Sequence, residues 1–217
     1  MALVNAPRQR SADLVVVDYG LGNLRSAVRG LERAGANVEI TAEESAIGTA
    51  DGIVLPGVGA FAEGLENAEP LRPALLHAVE EGIPLLGICL GMQMLLTESE
   101  EAERAGQGDA RGLDLIPGRN CRFRSGTVPH MGWNRLDIVA DHPLVAGVDG
   151  EYAYFVHSYY ADPDAEDAAV ATTEYGVDFA SVVADGHVMG TQFHPEKSGE
   201  VGLRILRNFV DYCVGPP

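Results

Sequence analysis

The chain has 217 residues, which fits a single domain with a sizeable hydrophobic core. Its formal net charge of −17 argues against a nucleic-acid partner, because phosphate contacts need a basic face. The sequence contains no apolar run of the ~20 residues that a membrane helix needs, and residues 1–12 lack the apolar segment of a secretory signal. We therefore expect a soluble cytoplasmic protein, with a flexible extension at residues 1–12 and one domain at residues 13–217.

Three widely separated cysteines, Cys89, Cys121 and Cys213, match neither a disulfide framework nor a metal-binding spacing. We expect reduced thiols, as is usual in the cytoplasm, and neither a metal nor a cofactor. Acidic residues cluster at residues 98–101 and 162–167. The repulsion within such a surface is screened by salt, so a salt-rich source is one hypothesis. An ordinary acidic protein is the other.

The first half of the chain alternates apolar strands with helices. Strands are predicted at residues 14–17, 37–41, 52–55 and 83–86. Helices are predicted at about residues 23–34, capped by Gly35, and at residues 71–81, ended by Gly82. Strands that alternate with helices and glycine-rich turns predict a parallel sheet covered on both faces. In such a sheet the ligand site lies at the carboxyl ends of the strands.

The second half contains short alternating strands separated by glycines, a pattern that favours long antiparallel hairpins. The predicted strands are residues 122–123, 135–139, 152–157, 169–173, 179–184 and 188–193. A helix at residues 199–212 ends the chain, with Val201, Ile205 and Val210 on an apolar face. The predicted fold is therefore a single α/β domain. Its central sheet is mixed and mostly parallel, flanked by helices, with antiparallel hairpins in the second half.

Cys89 follows the apolar run at residues 83–86 and has glycine two places to either side, Gly87 and Gly91. This layout is typical of a nucleophile elbow, with sulfur in place of the serine oxygen. The glycines allow the strand and the following helix to approach closely, and the N-terminus of that helix would favour a thiolate. The alternative is an inert buried cysteine, the commoner state of a free thiol.

A thiolate needs a base, and the base needs a group that orients it. His194 and Glu196 follow the predicted strand at residues 188–193, so they also lie at a strand end. Because they are two residues apart, their side chains could point in the same direction on extended or tightly turned backbone. The alternative is a solvated loop. His130 and His157 lie beside aromatic residues and are interpreted either as satisfied buried groups or as part of an interface.

Acyl transfer also needs N–H donors for the developing oxyanion. The amide of Leu90, at the start of the helix, is one candidate, and the glycine-rich turn at residues 56–59 could supply another. An ordinary tight turn is the alternative interpretation of residues 56–59. A pyrophosphate-binding loop is disfavoured, because no G-x-G-x-x-G opens a helix there.

Residues 87–93, Gly-Ile-Cys-Leu-Gly-Met-Gln, together with residues 194–196, His-Pro-Glu, resemble the class I (triad) glutamine amidotransferases. Five further blocks resemble, more narrowly, the glutaminase subunits of imidazole glycerol phosphate synthases, which act in histidine biosynthesis. These blocks are residues 18–24, 55–61, 128–134, 155–159 and 190–198. The resemblance runs from about residue 13 to residue 213, and the acid-rich loops depart from the family without touching a motif.

The resemblance implies that Cys89 attacks the side-chain amide of glutamine to form a γ-glutamyl thioester. His194 would take the thiol proton and deliver it to the departing ammonia, while Glu196 orients His194. The amides of Gly57 and Leu90 would form the oxyanion hole, after the peptide between Gly57 and residue 58 has turned. The residues expected to bind glutamine are Gln93, Glu101, Ser158 and Tyr159, with Glu101 on the ammonium group.

The resemblance also implies a partner, a separate (β/α)₈-barrel cyclase subunit that forms a heterodimer with this chain and receives ammonia through its core. That subunit would make imidazole glycerol phosphate and aminoimidazole carboxamide ribotide. Residues 128–134, which contain Trp133, would face the barrel, although a buried hairpin is the alternative. Three rival functions are a glutaminase of another pathway, such as that of pyridoxal phosphate synthase, a thiol peptidase and a non-catalytic interaction module.

Overall fold

The structure, a computed structural model, describes residues 11–107 and 110–215. The strands in these ranges are Asp13–Val17 (β1), Asn37–Thr41 (β2), Gly52–Gly57 (β3), Leu85–Cys89 (β4), Leu96–Ser99 (β5), Ile116–Arg122 (β6), His130–Arg135 (β7), Asp137–Ile138 (β8), Tyr152–His157 (β9), Tyr159–Pro163 (β10), Ala169–Glu174 (β11), Asp178–Asp185 (β12) and Val188–Thr191 (β13). The α-helices are Leu24–Ala34 (α1), Glu44–Ile47 (α2), Phe61–Ala68 (α3), Arg72–Glu80 (α4), Leu90–Leu95 (α5), Glu100–Arg104 (α6) and Gly199–Val214 (α7). Short 3₁₀ turns occupy Glu69–Leu71, Pro143–Val145, Glu166–Ala168 and Pro195–Lys197.

Eleven of these strands form one mixed sheet in the order β2-β1-β3-β4-β13-β12-β10-β6-β5, with β11 paired to β12 and β8 to β11. From β2 to β13 every pairing is parallel. Beyond β13 the sheet continues through antiparallel pairings, and β5 joins its edge parallel to β6. The predicted α/β class with a mixed sheet is confirmed.

Strands β7 and β9 form a separate antiparallel pair, which we call the ribbon, in register from His130–His157 to Arg135–Tyr152. Alternation along the ribbon gives it two different faces. His130, Phe155 and His157 are buried, whereas the side chains of Met131 and Trp133 are 62% and 54% exposed. The ribbon therefore closes part of the core with one face and presents apolar surface with the other.

The parallel sheet has a hydrophobic core on each face. Alternate strand residues such as Val16 and Val54 pack on the side of α1 and α7, with Phe209. Their neighbours, such as Val17 and Leu55, belong to the second core, together with side chains from α2 to α5. This alternation follows from the two-residue period of a strand and explains why the strands are apolar throughout.

Most of the predicted elements of the first half are confirmed within a few residues. Helix α1 ends where glycine was expected, since Gly35 takes the left-handed conformation at φ 105°. The predicted helix after Cys89 is present but only six residues long, because Leu96 already begins β5 and pairs with Ile116. Helix α3 was not predicted. The strand predicted at residues 135–139 is divided between β7 and β8.

The predicted N-terminal extension lies largely outside the described residues, which begin at residue 11. Ala12 is fully buried, and its carbonyl accepts a 2.8 Å hydrogen bond from the Asn37 N–H. The chain is thus already packed against β2 one residue before the predicted domain boundary. Of the helices within residues 11–107 and 110–215, none combines the length and hydropathy needed to cross a membrane.

Candidate active site

Cys89 lies on a sharp turn between β4 and α5, with φ 55° and ψ −108°. This conformation is rarely adopted by residues other than glycine and is typical of a nucleophile held on strained backbone. The flanking glycines are required sterically. A Cβ on Gly91 would overlap the Leu55 carbonyl oxygen, and one on Gly87 would lie 2.6 Å from the Met92 nitrogen. The sequence thus predicted the elbow and the reason for its glycines.

His194 reaches Cys89 through the sheet topology. Strand β13 lies beside β4 in parallel register, with Gly190 opposite Gly87 and Thr191 opposite Ile88. The segments that leave these two strands therefore emerge at the same edge of the sheet. We call this the Cys89 edge, formed by the carboxyl ends of β3, β4 and β13. It brings together two groups that are 105 positions apart in the chain.

The predicted contact between His194 and Glu196 is present. The His194 Nδ1 and Glu196 Oε1 atoms are 2.8 Å apart, and the two side chains are 3% and 4% exposed. The backbone around His194 is held as well. Its N–H donates to the Tyr154 carbonyl at 3.0 Å, and the Ser198 hydroxyl donates to its carbonyl at 2.7 Å. The imidazole is therefore positioned by its carboxylate partner and by its own backbone.

Burial alone would lower the pKa of His194, but the interactions of the ring with Cys89 and Glu196 outweigh it and raise the pKa to about 9. The Nε2 atom of His194 is buried, and among the described residues no group completes a hydrogen bond of normal geometry with it. The Cys89 thiol is nevertheless close enough to affect its proton affinity. At neutral pH the ring therefore carries a proton beside the sulfur.

A cavity of about 330 Å³ opens at the Cys89 edge. Most of the predicted site residues line it, namely Cys89, Leu90, Gln93, Glu101, Ser158, Tyr159 and His194. Gly57 is buried next to it, where a Cβ would lie 2.8 Å from the Leu90 Cβ, while Val58 and Gly59 contribute to the wall itself. The structure thus gathers residues from five separate segments around one space.

Two of the residues predicted to bind glutamine are fixed by hydrogen bonds. The Gln93 side-chain amide donates to the Tyr159 carbonyl at 2.9 Å and to Gln192 Oε1 at 3.2 Å. Glu101 Oε2 accepts a 2.8 Å hydrogen bond from the Phe61 N–H at the start of α3. Gln93 thus ties α5 to β10, and the Glu101 carboxylate is held in the cavity wall.

Two groups near the Cys89 sulfur were not predicted. The Val156 carbonyl oxygen lies 3.9 Å from the Cys89 Sγ, and the Gln192 amide approaches the same sulfur at 3.9 Å. Gln192 belongs to the block at residues 190–198 that carries the resemblance, so the sequence contained a signal for it. The contribution of Val156 comes from its backbone, and no side-chain pattern could have indicated it.

His130 and His157 are buried and paired. The His130 Nδ1 and His157 Nε2 atoms are 3.0 Å apart, and the outer ring nitrogens contact Asn134 Oδ1 at 2.8 Å and the Tyr159 carbonyl at 2.8 Å. Burial is the main reason that the pKa of His157 falls to about 3. The two histidines are buried, as one of the two interpretations predicted, and the pair connects the ribbon to the backbone at Tyr159.

The remaining cysteines lie away from this chemistry. Cys89, Cys121 and Cys213 are all free thiols, and burial raises the pKa of Cys121 to about 11 and that of Cys213 to about 12. Within residues 11–107 and 110–215, no three His, Cys, Asp or Glu side chains cluster as a metal ion would require.

The family model for "Glutamine amidotransferase class-I" matches residues 15–213. The chain therefore belongs to the class I glutamine amidotransferases. Solved structures agree on the fold. A protein described as glutamine amidotransferase superimposes with a TM-score of 0.73 at 20% identity, over 93% of this chain and 99% of that one. The PurLQS structure from Thermotoga maritima superimposes with a TM-score of 0.72 at 20% identity, over 94% of this chain and 99% of that one.

Within that class, three curated relatives are each named imidazole glycerol phosphate synthase subunit HisH. The Halobacterium salinarum protein is 70% identical over 94% of this chain and 95% of its own length. The Natronomonas pharaonis protein is 68% identical over 94% of this chain and 97% of its own length. The Haloarcula marismortui protein is 66% identical over 95% of this chain and 98% of its own length. The chain thus belongs to the family of HisH subunits of imidazole glycerol phosphate synthase, as the sequence motifs predicted.

Proposed function

We propose that the chain hydrolyses glutamine to glutamate and ammonia through Cys89, His194 and Glu196, and passes the ammonia to a cyclase subunit. The observation that carries this proposal is the meeting of the Cys89 thiol and the His194–Glu196 pair at one cavity. The raised pKa of His194 supports a protonated imidazole beside the Cys89 sulfur at neutral pH. The family and the HisH relatives support the same chemistry.

In the proposed reaction, the Cys89 thiolate attacks the side-chain amide carbon of glutamine, and the new C–S bond leads to a tetrahedral intermediate. The His194 imidazolium gives its proton to the amide nitrogen, which leaves as ammonia, and a γ-glutamyl thioester is left. Water then attacks the thioester while His194 takes a proton from it. Loss of glutamate returns the thiolate and the imidazolium. Glu196 holds the Nδ1 proton throughout, so that Nε2 faces the chemistry.

The wall of the cavity fits glutamine. The Glu101 carboxylate is suited to the α-ammonium group, and Gln93 with the backbone at Ser158 and Tyr159 supplies polar contacts. For the oxyanion we propose the Leu90 amide, at the start of α5, and the turn that begins at Gly57. A small cavity with a carboxylate in its wall suits a free amino acid better than a peptide, which disfavours a thiol peptidase.

We place the partner on the exposed face of the ribbon. Ammonia at neutral pH is mostly protonated in water, so its nucleophilic form must be delivered without release. Met131, Trp133 and Tyr152 are 62%, 54% and 54% exposed, and an apolar aromatic surface of this kind is typical of an interface. In our proposal this face docks on the (β/α)₈-barrel cyclase to form a heterodimer in the cytoplasm.

The test uses the complex with the cyclase subunit. Cys89→Ala and His194→Ala are each expected to abolish synthesis of imidazole glycerol phosphate from glutamine, while synthesis from added ammonia continues. Loss of both activities would mean that these residues are structural. Full glutamine-dependent activity in either variant would refute the triad. If the wild-type chain hydrolyses glutamine only with the pyridoxal phosphate synthase partner, the pathway assignment fails and the triad stands.

A further inference from the structure

Tyr19 follows β1 and belongs to the block at residues 18–24, yet the proposed mechanism gives it no role. Its side chain is only 5% exposed, and its hydroxyl donates a 2.7 Å hydrogen bond to the Pro56 carbonyl. Burial, followed by the negative charge available at Cys89, raises the pKa of this hydroxyl well above its usual range. Tyr19 is therefore a neutral donor close to the reactive sulfur.

This hydrogen bond lies at the point where β3 is no longer paired with β1. Strand β1 pairs with β3 only as far as Val16 and Val54, whereas β4 follows β3 to the pair of Gly57 and Cys89. On the side of β1, the Pro56 carbonyl would thus face no strand. The Tyr19 hydroxyl takes the place of a strand donor there. The loop at Gly22 also covers this carbonyl, since a Cβ on Gly22 would lie 3.3 Å from the oxygen.

The hydrogen bond from Tyr19 to the Pro56 carbonyl restrains the whole Pro56–Gly57 peptide. The Pro56 C=O and the Gly57 N–H belong to one planar peptide and point in opposite directions. The Tyr19 hydroxyl also occupies the space that a Cβ of Gly57 would need, while Leu90 Cβ and the Gly91 nitrogen close the same space at 2.8 and 2.9 Å. The Pro56–Gly57 peptide is therefore clamped, whereas Val58, the next residue, is 41% exposed.

We propose that Tyr19 is a positioning residue of the oxyanion turn. Its hydroxyl holds the Pro56–Gly57 peptide still, so that rotation is confined to the Gly57–Val58 peptide. The Val58 N–H, rather than the Gly57 amide that the resemblance implied, can then be presented to the tetrahedral intermediate. This inference rests on the glutaminase function proposed above. It assigns to Tyr19 a contribution to preorganisation without contact with glutamine.

The test is Tyr19→Phe, which removes the donor and keeps the ring, measured in the complex with the cyclase and its nucleotide ligand. The expected result is a fall in kcat for glutamine hydrolysis of about tenfold, smaller than the 10²–10³ of a lost oxyanion donor, with KM for glutamine unchanged within twofold. Alkylation of Cys89 by iodoacetamide forms no oxyanion, so its rate is expected to stay within twofold of wild type.

Tyr212→Phe is the matched control, because the Tyr212 hydroxyl likewise donates to a backbone carbonyl, that of Gly186, at 3.4 Å. It lies in α7, and kcat is expected to be unchanged. Replacement of Tyr19 by p-aminophenylalanine restores an N–H donor and should return kcat to within about threefold of wild type. The p-aminophenylalanine variant also provides the test if Tyr19→Phe fails to fold.

An unchanged kcat in folded Tyr19→Phe would overturn the inference, as would a tenfold loss in the folded p-aminophenylalanine variant. Equal losses in kcat and in the alkylation rate would show a general disturbance of the Cys89 edge and would also overturn it. Both proposals fail if the wild-type complex does not hydrolyse glutamine. If the wild type is active and Tyr19→Phe matches it, only the role of Tyr19 fails.

Discussion

The Cys89 edge and the ribbon are both built from strand ends and aromatic or apolar residues, but they are constrained differently. At the Cys89 edge, backbone packs on backbone, so that Gly87 and Gly91 leave no room for a single methyl group. In the ribbon, side chains alternate between a buried row and an exposed row, and Trp133 has half of its surface exposed. The first region fixes the positions of backbone atoms, and the second presents a surface.

The difference shows where each region should tolerate change. Close packing between backbones transmits any added volume directly to the β4–α5 turn, because main-chain atoms cannot change rotamer. An exposed row of side chains contributes little to folding and is available to contribute to binding. Substitutions that add volume at the Cys89 edge should therefore affect folding and catalysis together, while those on the exposed face of the ribbon should separate folding from association.

The largest effect is expected for Gly91→Ala, because its Cβ would overlap the Leu55 carbonyl oxygen. We expect the free energy of unfolding to fall by about 3 kcal/mol or more, measured by urea titration. Gly48→Ala is the control, since Gly48 has φ −74° and its Cβ would lie 3.6 Å from the nearest atom. Similar stabilities of the two variants would show that the edge is less closely packed than described.

Trp133→Ala is expected to weaken binding of the cyclase subunit by roughly 30-fold, equivalent to about 2 kcal/mol, as for an aromatic hot spot. The melting temperature of the isolated chain should change little, because this side chain is 54% exposed. Titration calorimetry measures the affinity. Ile40→Ala, which removes an exposed side chain from β2 at one edge of the main sheet, is the control. Loss of binding in the control alone would place the partner elsewhere.

The pKa of about 9 for His194 predicts the basic limb of the activity profile. In the proposed mechanism the His194 imidazolium that protonates departing ammonia is lost as pH rises through about 9, so kcat/KM for glutamine should fall about tenfold for each further pH unit. Glu196→Gln removes a carboxylate that raises this pKa, and the limb should move to lower pH. A pH series of kcat/KM in 0.5-unit steps measures both. A basic limb at the same pH in Glu196→Gln as in the wild type would contradict the orienting role of Glu196.

A further effect concerns the buried row of the ribbon. The pKa of His157 is lowered to about 3, so below pH 6.5 the unfolded chain takes up a proton at this residue that the folded chain does not. Stability should therefore decrease as pH falls from 6.5, by up to about 1.4 kcal/mol per pH unit from this group. Urea titrations at pH 7, 6 and 5 in high salt should show a shallower loss in His157→Gln. Equal slopes would mean that His157 is protonated in the folded chain.

The sequence predicted local features more successfully than pairings. The Cys89 elbow, the Gly35 cap and the strand Tyr152–His157 all depend on residues within a few positions of one another. Helix α3 was missed because glycine interrupts it. Gly64 is there for tertiary packing, since a Cβ would lie 3.0 Å from the Met94 sulfur and 3.1 Å from Leu90. In the sequence, a glycine that is required for packing against a neighbouring helix cannot be distinguished from a glycine in a turn.

Strands β5 and β10 were missed for a related reason. Leu96 continues the helical spacing of α5, and it becomes a strand residue only through its pairing with Ile116. Strand β10 ends in Asp162 and Pro163, a composition typical of a loop, and it is held in place by β6. Hydrogen bonding to distant partners overrode the local propensity of both segments.

The sequence by itself determined the family, because a thiol on a glycine-flanked turn, a histidine with a nearby carboxylate and the family motifs are all local patterns. Only the tertiary structure decided the site. Strand β13 lies beside β4 and brings His194 to Cys89. Strand β1 pairs with β3 only as far as Val54, two residues before Pro56, and leaves the Pro56 carbonyl to the Tyr19 hydroxyl. The physical reason is that strand order and carbonyl partners depend on hydrogen bonds between residues far apart in the chain, which no local pattern encodes.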